Sequence, residues 1–422
     1  MPDHAAEVAL LESALATIPH PGSSNWAEVA SRFVGVPREA VQSFVESMLI
    51  GPLVAATSNL DEFSAERSYT LRYPGGERTI DATLAATMLY RFVTGGGAMV
   101  DALRGLRRAL GENETRGQFI MVVSGLNISS AADVTEDIRL LPFSDLPHSP
   151  SWNEASRHVA AAFLPPGIPA HLLPVAAFVA RVTVPGTVRD GEGASPHVTV
   201  GAPSEVRAKL DEMRLACTCV GPSRPVPVVE WFEFSDPLLA QLQAPSGMAM
   251  VYEDLRHGYP WMEVQHDATE MAAVARRYSE LADAGTRARL ARALRRLNYA
   301  MRRADIGDRA VELSTALESV LVDDRGEHTF KIALRSALVI PGTRAERVAA
   351  RAIVSAIYGI RSALVHSGQA ATSVRVRGRG SVSAAEVVEE GSRITGAVLR
   401  ELIRAGSIPQ WEDLEVRQIV AK

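Results

Sequence analysis

Apolar residues between about residue 267 and residue 405 recur every three or four positions, which is the period of one face of an α-helix. Capping residues and Pro or Gly divide this pattern into six helices joined by short connections. Thr343 and Ser383 are each followed three residues later by Glu, as in a capping box. A helical bundle is therefore predicted, with one longer loop at Ser367–Val382. The predicted helices begin at Asp267 or Thr269, Thr286, Asp305, Glu327, Thr343 and Ser383.

The first 265 residues have a different pattern. Two helical stretches come first, at Ala5–Ile18 and Trp26–Leu49. Apolar runs bounded by Gly and Pro then predict strands. The fold class predicted is α+β: a mixed α/β region over residues 1–265, as one domain or two small ones, an all-α bundle over 266–410, and a C-terminal tail over 411–422. The predicted strands are Ser68–Tyr73, Gly117–Val123, Ala176–Val184, His197–Gly201 and Val226–Phe234.

Composition excludes several classes of protein. With 47% hydrophobic and 22% charged residues in 422, the chain is neither disordered nor fibrous. The only two cysteines, Cys217 and Cys219, exclude a disulfide framework and are predicted to be small buried residues. The ten histidines are scattered without metal-ligand spacing, so neither a metal nor a cofactor is predicted. An acidic N-terminus and the lack of a long apolar run predict a cytoplasmic protein without a membrane segment.

Charge is unevenly distributed along the chain. Of 44 Lys and Arg and 49 Asp and Glu, 25 and 17 lie in residues 271–422, a net charge of +8. The remaining 19 and 32 leave −13 on residues 1–270. An acidic part joined to a basic part suggests separate modules and a polyanion near the second.

One helix combines an apolar stripe with an arginine. At 100° per residue, Arg361 lies within about 60° of each member of this stripe. Burying a guanidinium is costly unless it is paired, which makes Arg361 a candidate functional residue. His366 follows in the last turn, about 140° around the helix. On spacing alone, helix capping and a structural role remain alternatives. The stripe consists of Val354, Ile357, Leu364 and Val365.

Three sequence blocks, taken in order, add to the evidence from Arg361 and His366. They are Asp308-Arg-Ala-Val-Glu312-Leu-Ser-Thr-Ala316-Leu-Glu318-Ser-Val-Leu321, then Ile332-Ala-Leu-Arg335-Ser-Ala-Leu-Val, then Tyr358-Gly-Ile-Arg361-Ser-Ala-Leu-Val-His366-Ser-Gly. In this order they resemble the Apea-like branch of the HEPN superfamily over about residues 270–405. The chain departs from that pattern in carrying Gly359 for Asp, Ser367 for Gly and Glu312 for Asp. Gly368 stands where the toxin–antitoxin variant of the motif has Tyr.

The resemblance implies a metal-independent endoribonuclease that acts as a homodimer, with Arg361 and His366 as catalytic residues and RNA as the substrate. The residue types suit the chemistry. Histidine titrates near neutral pH and can take a proton from the 2′-hydroxyl or give one to the leaving 5′-oxygen. A guanidinium can stabilise the charge that develops on the phosphorane.

Further residues are expected to support this pair. Glu318 lies within an apolar pattern and is predicted to pair with and orient Arg335 or Arg361. Tyr358 opens the motif, and Ser362 either bonds phosphate or has a structural role. Three alternating arginines after His366 are predicted either to bind the RNA backbone or to belong to a solvated, mobile loop. These are Arg375, Arg377 and Arg379.

Three functions remain open. The leading hypothesis is the ribonuclease effector of a bacterial antiphage system acting by abortive infection. In it, the acidic N-terminal region senses a phage-derived trigger or covers the basic bundle until triggered. The second hypothesis is a catalytically inactive HEPN scaffold for dimerisation or nucleotide binding. The third is an N-terminal enzyme regulated by the bundle.

Overall fold

A computed structural model of the chain describes residues 4–18, 50–64, 67–73, 76–163, 175–189, 202–221, 223–242, 249–250, 265–322 and 328–420. The predicted helix Trp26–Leu49 and the predicted strand His197–Gly201 lie outside these residues. Strands fall mostly in the N-terminal part and helices dominate the C-terminal part, so the α+β prediction is confirmed.

The N-terminal part is built around an antiparallel six-stranded sheet in the order β4-β5-β6-β3-β8-β9. A smaller sheet has the order β2-β1-β7. The predicted strands that correspond to β1, β3, β6 and β8 are confirmed. The strands are β1 (Tyr69–Tyr73), β2 (Gly76–Ile80), β3 (Glu114–Ser124), β4 (Ala132–Asp133), β5 (Ile138–Pro142), β6 (Val175–Pro185), β7 (Val188–Arg189), β8 (Val226–Phe234) and β9 (Ala249–Met250). The helices are α1 (Ala5–Ala16), α2 (Gly51–Ser58), α3 (Ala82–Thr94), α4 (Met99–Gly111), α5 (Pro150–Phe163) and α6 (Ala202–Ala216).

Both faces of the large sheet are covered. Side chains alternate along β3, so Ile120 and Val122 face α5, where they join a small core with Val159. Met121 and Val123 face the other way and join the main core. Helix α6 packs on β3 and β6 from that side. This burial on both faces explains why the central strands are apolar almost throughout.

The C-terminal part is a helical bundle. Asp267, Asp283 and Asp305 each accept a hydrogen bond from a backbone N–H of the first turn of their helix. Asp283, not the predicted Thr286, is therefore the cap of α8, and Thr286 donates to it. The capping box at Thr343 is confirmed. The helices are α7 (Ala268–Ser279), α8 (Ala284–Arg302), α9 (Ile306–Leu321), α10 (His328–Val339), α11 (Arg344–Ser367), α12 (Ala384–Ala405) and α13 (Trp411–Val420).

Two segments of the bundle differ from the prediction. The predicted loop Ser367–Val382 contains a β-hairpin, β10 (Ser373–Val376) and β11 (Gly380–Ser383). Val376 is buried and Arg375 and Arg377 are exposed, so the alternation has the period of a strand. The segment predicted as a tail, residues 411–422, contains α13, and Trp411 is one of the largest fully buried side chains among the described residues.

The two parts of the chain share one hydrophobic core. Cys217 and Cys219 lie buried in a turn between α6 and β8, as predicted, and the turn packs against α12. Burial raises the pKa of the Cys219 thiol to about 12. The Asn298 side-chain amide on α8 donates to the Pro225 carbonyl over 3.1 Å.

Helix α11 is long and apolar enough to cross a membrane by length and composition alone. Its buried side chains pack against α9, α10 and α12 in the bundle. The described part of the chain is therefore compatible with a soluble protein.

Candidate functional site

Helix α11 carries the predicted catalytic pair near its C-terminal end. Val354 and Ile357 are fully buried, as the apolar stripe predicts. The stripe does not continue to the end of the helix, because Val365 is 66% exposed. Arg361 lies at the transition between the buried and exposed parts of α11, with 34% of its side chain exposed.

Glu318 on α9 fixes one side of the Arg361 guanidinium. Arg361 Nη1 donates to Glu318 Oε1 over 2.6 Å, and the Tyr358 hydroxyl lies 3.0 Å from the same oxygen. The Tyr358 hydroxyl also lies 3.3 Å from the Ser314 carbonyl oxygen. Of the two arginines predicted as partners of Glu318, the structure selects Arg361. A charge-assisted bond in this half-buried setting restricts the rotamers of Arg361.

The Tyr358 ring supports the same guanidinium from the side. The Arg361 guanidinium carbon lies 5.6 Å from the ring centroid, within the range of a cation–π contact. Burial raises the pKa of the Tyr358 hydroxyl, and the negative charge and hydrogen bond of Glu318 raise it further. Tyr358 therefore stays protonated and serves as a hydrogen-bond donor at neutral pH.

Part of the Arg361 guanidinium remains available. It has five N–H donors, and its bond to Glu318 uses one of them. Within the part of the chain that the structure describes, Arg361 makes no second hydrogen bond or ion pair. The exposed portion of the side chain can therefore donate hydrogen bonds to an anion from solvent.

His366 lies in the last turn of α11 and is exposed. The helix ends at Gly368, whose φ of 71° is left-handed, and the Gly368 N–H donates to the Leu364 carbonyl over 2.9 Å. No described residue forms a hydrogen bond or ion pair with His366. Five residues along a helix correspond to about 140° and about 7.5 Å of rise, so one chain does not direct Arg361 and His366 to the same point.

The arginines of the hairpin fall into two groups. Arg375 and Arg377 are exposed on the outer face. Arg379 pairs with Glu386 and Glu390 of α12 over 2.5 and 2.6 Å. Glu386 thus contacts the hairpin, while the Ser383 hydroxyl still caps α12. Only Arg375 and Arg377 remain as candidate phosphate contacts.

The hairpin packs directly beside the site. A Cβ added at Gly359 would lie 3.4 Å from the Val374 side chain of β10. Gly359 therefore lies against the hairpin, one residue from Tyr358. A larger side chain at this position would meet β10.

Two other predicted residues are placed differently. Ser362 is exposed on α11. Arg335 is fully buried on α10, where it bonds Glu415 of α13 and the Leu321 carbonyl, so it does not join Arg361. The described residues contain no group of three His, Cys, Asp or Glu side chains that could hold a metal ion.

A second polar region is not among the predicted sites. Glu230 lies in the middle of β8, between apolar residues, and lines a cavity. A carboxylate in the middle of an otherwise apolar stretch of a strand is the signal that could have identified it.

In comparisons with protein-family models, curated proteins and solved structures, the chain matches none.

Proposed function

We propose that this chain is a metal-independent endoribonuclease of the HEPN type, with Arg361 and His366 as its catalytic residues. The observation that carries the proposal is the half-exposed Arg361 guanidinium, held on one side by Glu318 and Tyr358, near the exposed His366 at the end of the same helix. A positioned cation and a titratable base are the two groups that RNA transesterification requires.

The proposed reaction balances without an added co-reactant. One His366 takes the proton of the RNA 2′-hydroxyl, and the 2′-oxygen forms a bond to the adjacent phosphorus. The bond from phosphorus to the 5′-oxygen breaks, and His366 of the partner subunit supplies the proton that the 5′-oxygen needs. Arg361 stabilises the negative charge on the phosphorane, and the product ends are a 2′,3′-cyclic phosphate and a 5′-hydroxyl.

The geometry of α11 supports the proposal of a homodimer. Since Arg361 and His366 of one chain lie about 140° apart, a two-fold axis near the end of the helix would supply the missing group from a second copy. Arg375 and Arg377 would then contact backbone phosphates beside the cleft.

The biological setting is proposed from the resemblance. A cytoplasmic effector of antiphage defence would cleave RNA when its N-terminal region meets a phage-derived trigger. The −13 charge of residues 1–270 against +8 for residues 271–422 supports a restraining contact. A catalytically inactive scaffold would leave RNA intact while still forming a dimer.

The test uses the purified full-length chain and total cellular RNA with EDTA present. We expect cleavage with 2′,3′-cyclic phosphate ends and no cleavage by His366→Ala or Arg361→Ala. The matched controls are His328→Ala and Arg344→Ala, exposed residues of the same types elsewhere in the bundle, which should cleave like the wild type. An uncleaved wild-type reaction, or full activity in His366→Ala, contradicts the proposal.

A mixing experiment tests the shared cleft. A dimer of one wild-type and one His366→Ala chain keeps both Arg361 side chains but only one of the two histidines that the proposed reaction needs. If the cleft is shared, adding an excess of His366→Ala chains therefore suppresses cleavage by the wild type. If each chain holds a complete site of its own, the added chains leave the wild-type activity unchanged.

A further inference from the structure

A polar cavity of about 370 Å³ lies between the sheet and the bundle, away from Arg361 and His366. Helix α6, helix α8 and the inner face of β3 and β8 form its walls. Met121, Leu215 and Pro227 contribute apolar surface. The volume of this cavity lies within the range of small-molecule sites.

Glu230 of β8 is the most unusual group in this cavity. The residue is 6% exposed, and its Oε1 accepts a bond from Arg207 Nε over 2.6 Å. Its other oxygen, Oε2, is buried and has no hydrogen-bond partner among the described residues. An unpaired carboxylate oxygen is costly to bury. A ligand hydroxyl or amino group that donates to Oε2 would remove this cost.

The described residues lining the cavity carry excess positive charge. They comprise four arginines and only two carboxylates. Arg214 is bonded to Asp211 and to the Pro225 carbonyl, and Arg207 is bonded to Glu230. Arg295 on α8 is exposed at the cavity and forms no ion pair with a described residue. Its guanidinium is free to bind an anionic group.

Positive charge also accumulates behind this wall. The pKa of Arg224 is lowered to about 10, first by its burial and then by the charges of Arg302 and Arg309. Arg302 is itself part of the cavity lining. Arg309 is paired with Glu389 of α12, and Arg302 places its guanidinium at this end of the cavity.

We propose that the cavity binds a small organophosphate, up to the size of a mononucleotide, whose phosphate contacts Arg295 and Arg302 and whose hydroxyl or amino group donates to Glu230 Oε2. Glu230 makes the site selective. Its carboxylate repels a bare anion but accepts a bond from an anion that also carries a donor. The Tyr299 ring also lines the cavity, and the Arg302 guanidinium carbon lies 5.8 Å from its centroid, within the range of a cation–π contact.

Isothermal titration of the full-length chain tests this proposal with five probes. They are 5′-GMP, 5′-AMP, ribose 5-phosphate, guanosine and inorganic phosphate. We expect at least one phosphate ester to bind at least tenfold more tightly than both guanosine and inorganic phosphate. Binding of both nucleotides but not ribose 5-phosphate identifies the base as the donor, and comparable binding of all three identifies the sugar. If no ester binds at millimolar concentration, or inorganic phosphate binds equally well, the proposal is wrong.

Variants locate the binding site. Arg295→Ala, which alters an exposed side chain, should weaken binding of the best probe at least tenfold. Arg292→Ala is the matched control, because Arg292 is an exposed arginine one turn away that does not line the cavity. Unchanged binding in Arg295→Ala would overturn the assignment. In Glu230→Gln the ester should bind more weakly and inorganic phosphate more tightly.

The result is separable from the ribonuclease proposal. Arg361→Ala and His366→Ala lie outside the cavity and should bind the probe as the wild type does. Loss of binding in these two variants would instead place the ligand in the proposed RNA cleft and contradict the cavity assignment. Conversely, if the chain binds the ester but cleaves no RNA, the cavity proposal stands and the ribonuclease proposal is wrong.

Discussion

Two arginines of the bundle occupy opposite kinds of environment. Arg335 is 1% exposed, and it donates from Nε to Glu415 over 2.8 Å and from Nη1 to the Leu321 carbonyl over 2.6 Å. Its guanidinium also lies 5.3 Å from the Trp411 ring centroid. Arg361 is 34% exposed and, among the residues that the structure describes, donates to Glu318 alone. We call these the closed arginine site and the open arginine site.

The difference separates an arginine that holds two helices together from one that can still bind a ligand. In the closed site the protein surrounds the guanidinium and joins α10 to α13, so the charge serves the fold. In the open site the protein restrains one side of the guanidinium and leaves the other to solvent. A catalytic cation needs both properties: a fixed position and an unoccupied face. Four measurements, from the largest expected effect to the smallest, test this distinction.

Arg335→Ala should be the most destabilising change. It leaves Glu415 and the Leu321 carbonyl without their partner and opens a cavity beside Trp411, and breaking a buried pair costs about 3–5 kcal/mol. Urea unfolding measures the free energy of unfolding, with Arg344→Ala as the control for removing an arginine. A loss below about 1 kcal/mol would mean that the closed site does not stabilise the fold.

Alkaline pH should weaken the fold through Tyr358. Its pKa is raised in the folded chain, so the unfolded chain loses this proton first, near the ordinary tyrosine pKa of about 10. The raised pKa of Tyr358 therefore contributes fully to the free energy of unfolding below about pH 10. This contribution is lost as the pH rises further, by up to about 1.4 kcal/mol per pH unit. Plots of the free energy of unfolding against pH should have different slopes for the wild type and Tyr358→Phe above that pH. Parallel slopes would show that Tyr358 ionises as easily in the fold as in the unfolded chain.

Arg361→Ala should cost about 1 kcal/mol or less in the free energy of unfolding, because the pair is partly exposed and Glu318 keeps its contact with Tyr358. The same variant should abolish RNA cleavage. Urea unfolding and the cleavage assay are run on one preparation. A stability loss as large as that of Arg335→Ala would give the open site a structural role.

His366→Ala should leave stability within about 0.5 kcal/mol of the wild type, because the side chain is exposed and forms no bond with a described residue. Its thermal midpoint should match that of His328→Ala. A clear loss of stability would mean that a contact of His366, such as one across a dimer interface, supports the fold.

The bundle could be predicted well because its signals are local. Side-chain caps such as Asp305 and Thr343 begin helices within a few residues of their own position, and Gly368 and Gly406 end helices with left-handed φ values. The hairpin is not predicted, because a short run of alternating valines and arginines is also compatible with a loop. Helix α13 is not predicted, because Trp411 is buried against Arg335, which lies 76 positions earlier in the chain.

The candidate site could be predicted in part. The sequence marks Arg361 as a charge on an apolar helix and Glu318 as a carboxylate within another apolar pattern. It leaves the partner of Glu318 undecided between Arg335 and Arg361, because the rotation of three helices against one another sets that choice. The pairing of Arg379 with α12 was not predicted, for the same reason.

Six helices of the bundle, the central strands and the candidate functional residues could be predicted from the sequence, because period, caps and residue type act over short distances. The tertiary structure decided the order of strands in the sheet, the closed state of Arg335, the open state of Arg361 and the cavity around Glu230. These depend on contacts between residues far apart in the chain. The energy of such a contact comes from burial and pairing in the packed fold, which no local pattern specifies.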